Sequence, residues 1–265
     1  MAEYCISCCS TADLTKEYFD KRGIRYVCFH YELGGTDYLD DLGQTMPPAE
    51  LYRRMLAGED VKTSQVSIGE YADFFRKIFD EGKDILHIAF SSGLSGTFNS
   101  CRIAAQELME EYPERKIRVV DSLAASLGQG LLVYLAQRRK EEGADFDSVA
   151  QWTEEHKKNI VHLFTVDDLN HLYRGGRVSR TTAILGGMLN IKPILHVDDE
   201  GKLIPIGKVR GRKKSLLELV TLMDSKIGSY AKSCDTIFIS HGDCREEAEF
   251  LAAKVKEKYL SLIHI

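Results

Sequence analysis

The chain has 265 residues, with 35 Lys and Arg against 40 Asp and Glu, for a formal charge of −5. Its length predicts two domains, each able to bury a core, and its acidic balance gives no reason to expect nucleic acid as a partner. No apolar run of about 18 residues occurs, and the opening Met1-Ala2-Glu3-Tyr4-Cys5 lacks the basic-then-apolar order of a signal peptide. The expectation is a cytoplasmic chain without a transmembrane segment, which leaves room for transient contact with a membrane surface.

In chain order, strands are expected at residues 4–7, 25–31, 85–90 and 116–120, and helices at 15–22, 48–57, 68–81, 97–112 and 127–142. This alternation predicts an α/β lobe, a parallel sheet covered by helices, over residues 1–157. Further strands are expected at 160–165, 192–197, 203–208 and 236–241. The turn Asp198-Asp199-Glu200-Gly201-Lys202 joins two of them as a hairpin. Residues 158–265 are therefore expected to form an α+β lobe with helices and a mainly antiparallel sheet, with a cleft between the two lobes.

Seven cysteines stand in a chain without a secretion signal, which predicts reduced thiols. Cys5-Ile6-Ser7-Cys8-Cys9 invites a metal or redox reading, but no second Cys or His pair at ligand spacing completes it. Small buried thiols along a first strand are expected instead, and no metal.

Ser91-Ser92-Gly93-Leu94-Ser95-Gly96-Thr97 lies between an expected strand and an expected helix. A crevice at the carboxyl end of a parallel strand is where open α/β sheets bind ligands, and the amides that open a helix favour an anion. Ser95 or Thr97 could equally cap the helix. Four hydroxyls and two glycines in seven residues favour a cradle for an oxyanion. Lys62-Thr63-Ser64-Gln65-Val66-Ser67 precedes a helix, with Thr63 or Ser67 as its N-cap and Glu70 placed for a capping box. The two segments are expected to converge on one crevice.

Asp121-Ser122 and Gly128-Gln129-Gly130 repeat the strand-to-helix pattern; helix packing explains much of it, with Asp121 or Ser122 as candidate ligand contacts. Arg174 and Arg177 flank Gly175-Gly176 and could grip a carboxylate or phosphate. Residues 202–214 carry six basic side chains and no acid, a solvated face or a partner-docking stripe. His87 is expected to be packed inside its strand, and His162, His171 and His241 carry no triad signature. Neither a Walker loop nor a Gly-x-Gly-x-x-Gly fingerprint is present, which disfavours nucleotide binding.

Taken in order, Ser10-Thr11-Ala12-Asp13-Leu14, Thr63-Ser64-Gln65, Ser91 to Thr97, Asp121-Ser122 with Gly128-Gln129-Gly130, Gly175-Gly176-Arg177-Val178-Ser179, Leu189-Asn190-Ile191-Lys192-Pro193-Ile194 and Arg210-Gly211-Arg212-Lys213-Lys214 resemble the DegV family of fatty-acid-binding proteins, which includes the carrier subunits of bacterial fatty acid kinase. The resemblance implies a two-lobe fold holding one long-chain fatty acid, with its carboxylate at Thr63 and Ser95. Ser64, Ser92, Ser122 and Arg177 are implied as further head-group or partner residues. It also implies a carrier without catalytic residues or a cofactor of its own, which presents the acid to a separate ATP-dependent kinase for acyl phosphate formation. The rival reading is a stand-alone acyl hydrolase or phosphotransferase with Ser92 or Ser95 as nucleophile, which needs an activating base.

Departures from the family pattern are Cys9 where Asp is usual before Ser10-Thr11, and Val66 where Pro is usual. At the chain's end, Tyr259-Leu260-Ser261-Leu262-Ile263-His264-Ile265 stands in place of the family's final strand and its His-Gly-Pro-Gly-like turn, and no residue matches that histidine.

Overall fold

The computed structural model describes residues 3–167, 169–179, 190–259 and 262–264, the last three as backbone. Leu189, Leu260, Ser261 and Ile265, which belong to the motifs above, lie outside them. The chain divides into two compact units, residues 1–160 and 161–265.

The first unit is built on a parallel sheet of β1 (Tyr4–Cys9), β2 (Arg25–Val27), β6 (Asp84–Ala89) and β7 (Ile117–Asp121), in the order β2-β1-β6-β7. β1 and β6 are central and wholly buried, which explains why their sequences read as continuous apolar runs. Helices α1 (Lys16–Arg22), α3 (Ile68–Asp80), α4 (Thr97–Glu111), α5 (Ser126–Glu141) and α6 (Phe146–His156) accompany the sheet. α3 packs Tyr71, Phe75, Ile78 and Phe79 into one core with Ile85 and Ala89 of β6 and Ala104 and Leu108 of α4. α5 comes close to the turn after β1: a Cβ on Gly130 would stand 2.4 Å from the Ala12 carbonyl oxygen. Helix packing is thus a sufficient reason for glycine there.

The expected strand at 25–31 is two strands. The chain leaves the parallel sheet after Val27, Phe29 enters the core and donates its N–H to Ser10 Oγ, and His30 opens a separate antiparallel sheet. That sheet, β3 (His30–Leu33), β4 (Thr36–Leu39) and β5 (Val61–Ser64), has the order β4-β3-β5 and was not expected. Helix α2 (Pro48–Leu56) joins β4 to β5 and is tied to the sheet by Arg54, which donates to the Tyr38 hydroxyl at 3.2 Å.

In the second unit β8 (Leu163–Thr165), β9 (Ile191–Val197) and β10 (Leu203–Arg210) form an antiparallel sheet, β10-β9-β8. The expected hairpin turn closes with Asp198 N–H on the Lys202 carbonyl and Gly201 at φ 73°. β11 (Thr236–Phe238) and β12 (Leu262–His264) pair in parallel, and α7 (Asn170–Arg174), α8 (Arg212–Ile227) and α9 (Arg245–Lys256) are the unit's α-helices among the described residues. Among the described residues no helix is long and apolar enough to cross a membrane.

Candidate functional site

Since β1, β6 and β7 run in one direction, their carboxyl ends open on the same edge of the sheet. Three turns leave that edge and are stitched together. Ser91 N–H donates to the Ala124 carbonyl at 3.1 Å, Ser92 N–H to Asp121 Oδ1 at 3.1 Å, and Ser122 N–H to the Ala89 carbonyl at 3.2 Å. Asp121 Oδ1 also accepts from Leu123 N–H, which holds Leu123 in a left-handed conformation at φ 51°. On the β1 side, Thr11 Oγ1 donates to Gln129 Oε1 and Gln129 Nε2 donates to the Ile88 carbonyl, both at 3.0 Å.

Within residues 91–97 the polar groups are largely occupied by the turn itself. Ser95 donates its N–H to the Ser91 carbonyl at 3.2 Å, and Gly93 N–H donates to Ser91 Oγ at 3.1 Å. The N-cap of α4 is Gly96, with no capping side chain; Ser95 Oγ accepts from Thr97 N–H at 3.3 Å. An accepting hydroxyl still has its own O–H to donate, so Ser95 can serve the helix and a carboxylate together. Ser92 is exposed and Ser95 half-buried. Ser122 is fully buried, its hydroxyl exchanging hydrogen bonds with Ala124 inside the same turn.

In the other segment, 62–67, the helix cap expected at Thr63 or Ser67 falls at Ser67. Thr63 and Ser64 lie in the strand β5 and are exposed, while Ser67 is the N-cap of α3 and forms the expected capping box with Glu70. Thr63 pairs with Tyr31, which pairs in turn with Tyr38, so the three share one face of the sheet; the two tyrosine rings stack with centroids 5.3 Å apart. The segment meets residues 91–97 through its last residues. Val66 N–H donates to Thr97 Oγ1 at 3.3 Å, Gln65 Nε2 donates to Ser100 Oγ at 3.5 Å, and Gln65 Oε1 would lie 2.3 Å from a Cβ placed on Gly96. The two segments therefore touch at Gln65 and Val66.

Beneath the turns, the core carries polar groups that sequence reasoning left as simple packing. The Tyr71 hydroxyl hydrogen-bonds Cys9 Sγ at 3.3 Å and the Thr97 side chain. His87 Nδ1 shares a 3.0 Å hydrogen bond with Ser7 Oγ and its ring is edge-on to Tyr71, Phe74 and Phe75. Burial pushes the His87 imidazole down to about 3, so it is neutral. Burial also raises the thiols of Cys8 and Cys9, which stay protonated and inert. All seven cysteines are free.

Asp13, in the left-handed region at φ 54°, accepts from the Ser126 hydroxyl across the β1 and β7 turns. It meets solvent within a crowded recess; burial first, then the charge of Asp40, pushes its carboxyl up to about 6. Through their hydroxyls, neither Ser92 nor Ser95 hydrogen-bonds an imidazole or carboxylate among the described residues. In the second unit Arg177 folds its guanidinium onto the Gly175 carbonyl, with Gly176 at φ 74° completing the turn. Of the basic stripe at 202–214, Arg212 is occupied by Glu247 at 2.6 Å.

A parallel α/β unit whose adjoining turns gather hydroxyls at one sheet edge, followed by an antiparallel α+β unit, defines the class of protein. Residues 8–265 match the family model described as "Uncharacterised protein, DegV family". The chain belongs to the DegV family. A DegV domain-containing protein of Clostridium perfringens is 42% identical over 259 residues, covering 98% of this chain and 88% of that protein. The structure reported as "Fatty Acid Binding of a DegV family Protein from Thermus thermophilus" is 30% identical with a TM-score of 0.83, covering 100% of this chain and 92% of that one. The Streptococcus pneumoniae Fatty Acid Kinase (Fak) B3 protein loaded with linoleic acid shares the fold, at 22% identity and a TM-score of 0.85, over 99% of this chain and 92% of that one.

Proposed function

We propose that this protein is a cytoplasmic carrier that binds a long-chain fatty acid, with the carboxylate held by Thr63 and Ser95, and presents it to a separate ATP-dependent kinase for acyl phosphate formation. The observation that carries the reading is the junction of the two hydroxyl-bearing segments at Val66–Thr97 and Gln65–Gly96, in a chain 30% identical to a DegV protein described as fatty-acid-binding. Ser64 and Ser92, both exposed, are the secondary head-group contacts, and Arg177 enters through the family resemblance. Ser122 keeps its hydroxyl for its own turn, so its part is to hold that turn in shape. The kinase and the transfer step rest on the same resemblance.

The division of labour follows from magnitudes. Burying about fifteen methylenes at ~0.8 kcal/mol each gives a gross ~12 kcal/mol before ordering costs, whereas a pair of hydroxyl hydrogen bonds to a carboxylate contributes a few. The tail supplies affinity and the hydroxyls aim the head. Native mass spectrometry of the purified protein, followed by extraction and lipid identification, tests the reading: a stoichiometric long-chain acid is expected. Protein that takes up no fatty acid when offered one, or that turns over acyl esters unaided, would defeat it.

A further inference from the structure

We infer that Gln65 is a positioning residue: its side chain, seated on Gly96, sets the spacing between the Thr63 and Ser95 hydroxyls. The inference rests on the carboxylate site proposed above. Gln65 is exposed and lies between the strand that carries Thr63 and the buried Val66, so the fold does not need its side chain for core packing. Its amide nevertheless lies across the first turn of α4, with Oε1 over Gly96 and Nε2 donating to Ser100 Oγ. Gly96 has an ordinary helical backbone, φ −69° and ψ −1°, so any L-residue could adopt its conformation. What excludes a side chain there is Gln65 itself: a Cβ would stand 2.3 Å from Oε1 and 3.3 Å from Cδ, and no other residue is among its three nearest neighbours. The absence of a Cβ at residue 96 is therefore explained by the amide that lies on it.

This arrangement has a consequence that a purely structural glycine would not have. A methyl group at residue 96 displaces only the end of a flexible side chain, so Gly96→Ala should fold as well as the unsubstituted protein and act on binding by moving Gln65. Gln65→Ala, Gly96→Ala and the double variant are compared for melting temperature without ligand and for affinity toward radiolabelled palmitate. Each single change is expected to weaken binding by about five- to tenfold with the melting temperature within a degree or two, and the double variant to be no weaker than the Gln65→Ala protein. The losses then fail to add, because both changes remove the same contact.

Losses that multiply in the double variant, or a Gly96→Ala defect that persists at full size in the Gln65→Ala background, would overturn the inference while leaving the carrier reading intact. Unchanged binding in Gln65→Ala would also overturn it. An unsubstituted protein that does not bind palmitate at all would instead remove the reading on which the inference stands.

Discussion

The segments at 62–67 and 91–97 arrive at one junction by different routes. Residues 91–97 follow a central strand buried on both faces; the amides of Ser91 and Ser92 are taken up by the neighbouring turn, at Ala124 and Asp121, and Ser95 Oγ accepts from Thr97 N–H within the segment. Residues 62–67 begin in a short edge strand whose last three residues are exposed, and beyond its pairing with β3 they are fastened to the rest of the unit at Gln65, at Val66 and through the cap of α3. One segment is a platform built before any ligand arrives; the other is a strap hung on it.

The harshest way to break this contrast is to attack the platform from behind. Gly130→Ala puts a methyl group against the Ala12 carbonyl, which is backbone and cannot step aside, and should cost about 3 kcal/mol of stability in chemical denaturation. A loss under about 1 kcal/mol would mean that α5 is not seated on the β1 turn.

Thr97→Val comes next. It removes the acceptor of Val66 N–H in a buried setting, and should cost about 1–3 kcal/mol and weaken fatty acid binding as the strap lets go. Binding at full strength in that variant would show the strap to be ordered independently of the platform.

Ser95→Ala sharpens the contrast without disturbing the fold. Affinity for the acid should stay within about tenfold, while phosphoryl transfer to the bound acid falls further; equal losses in both would count against an aiming role.

The smallest effect concerns pH. The Asp13 carboxyl lies at about 6 in the folded protein against an ordinary 3.8, so the folded state holds its proton longer than the unfolded chain does. Its favourable contribution is complete below pH 3.8 and is lost as pH rises through about 6. Asp13→Asn should therefore raise the melting temperature above pH 6 and leave it unchanged below pH 3.8, with a gain kept under about 1 kcal/mol by the solvent in its recess.

Much of the platform was legible in the sequence because it is made of long periodic elements. The helices α2 to α5 begin and end within a residue or two of their expected limits, since Ser67 caps one, Pro48 opens another, and their apolar faces repeat at helical spacing. The strap was not legible. Val61-Lys62-Thr63-Ser64 has no alternating apolar face, because an edge strand exposed over most of its length needs none, and it reads as loop. A signal for its sheet did exist: Gly34-Gly35, both at positive φ between β3 and β4, is a two-residue hairpin turn. The capping role of Asp145, which accepts from Ser148 N–H, was likewise available to reveal α6. For the site, the hydroxyls could be read from spacing, but the contact between Gln65 and Gly96 could not, since it joins residues from separate elements.

At the opposite rim of the parallel sheet, where the strands begin, the chain merely turns back. Arg115 closes the entry to β7 over the Gly82 carbonyl at 2.6 Å, and Gly143 ends α5 in open space with φ 93°. The turns that carry Ser91, Ser95 and Ser122 leave the other edge of that sheet. A dye, an affinity handle or a tether to a surface grafted at the Gly143 bend would sit at the rim of that sheet away from those turns.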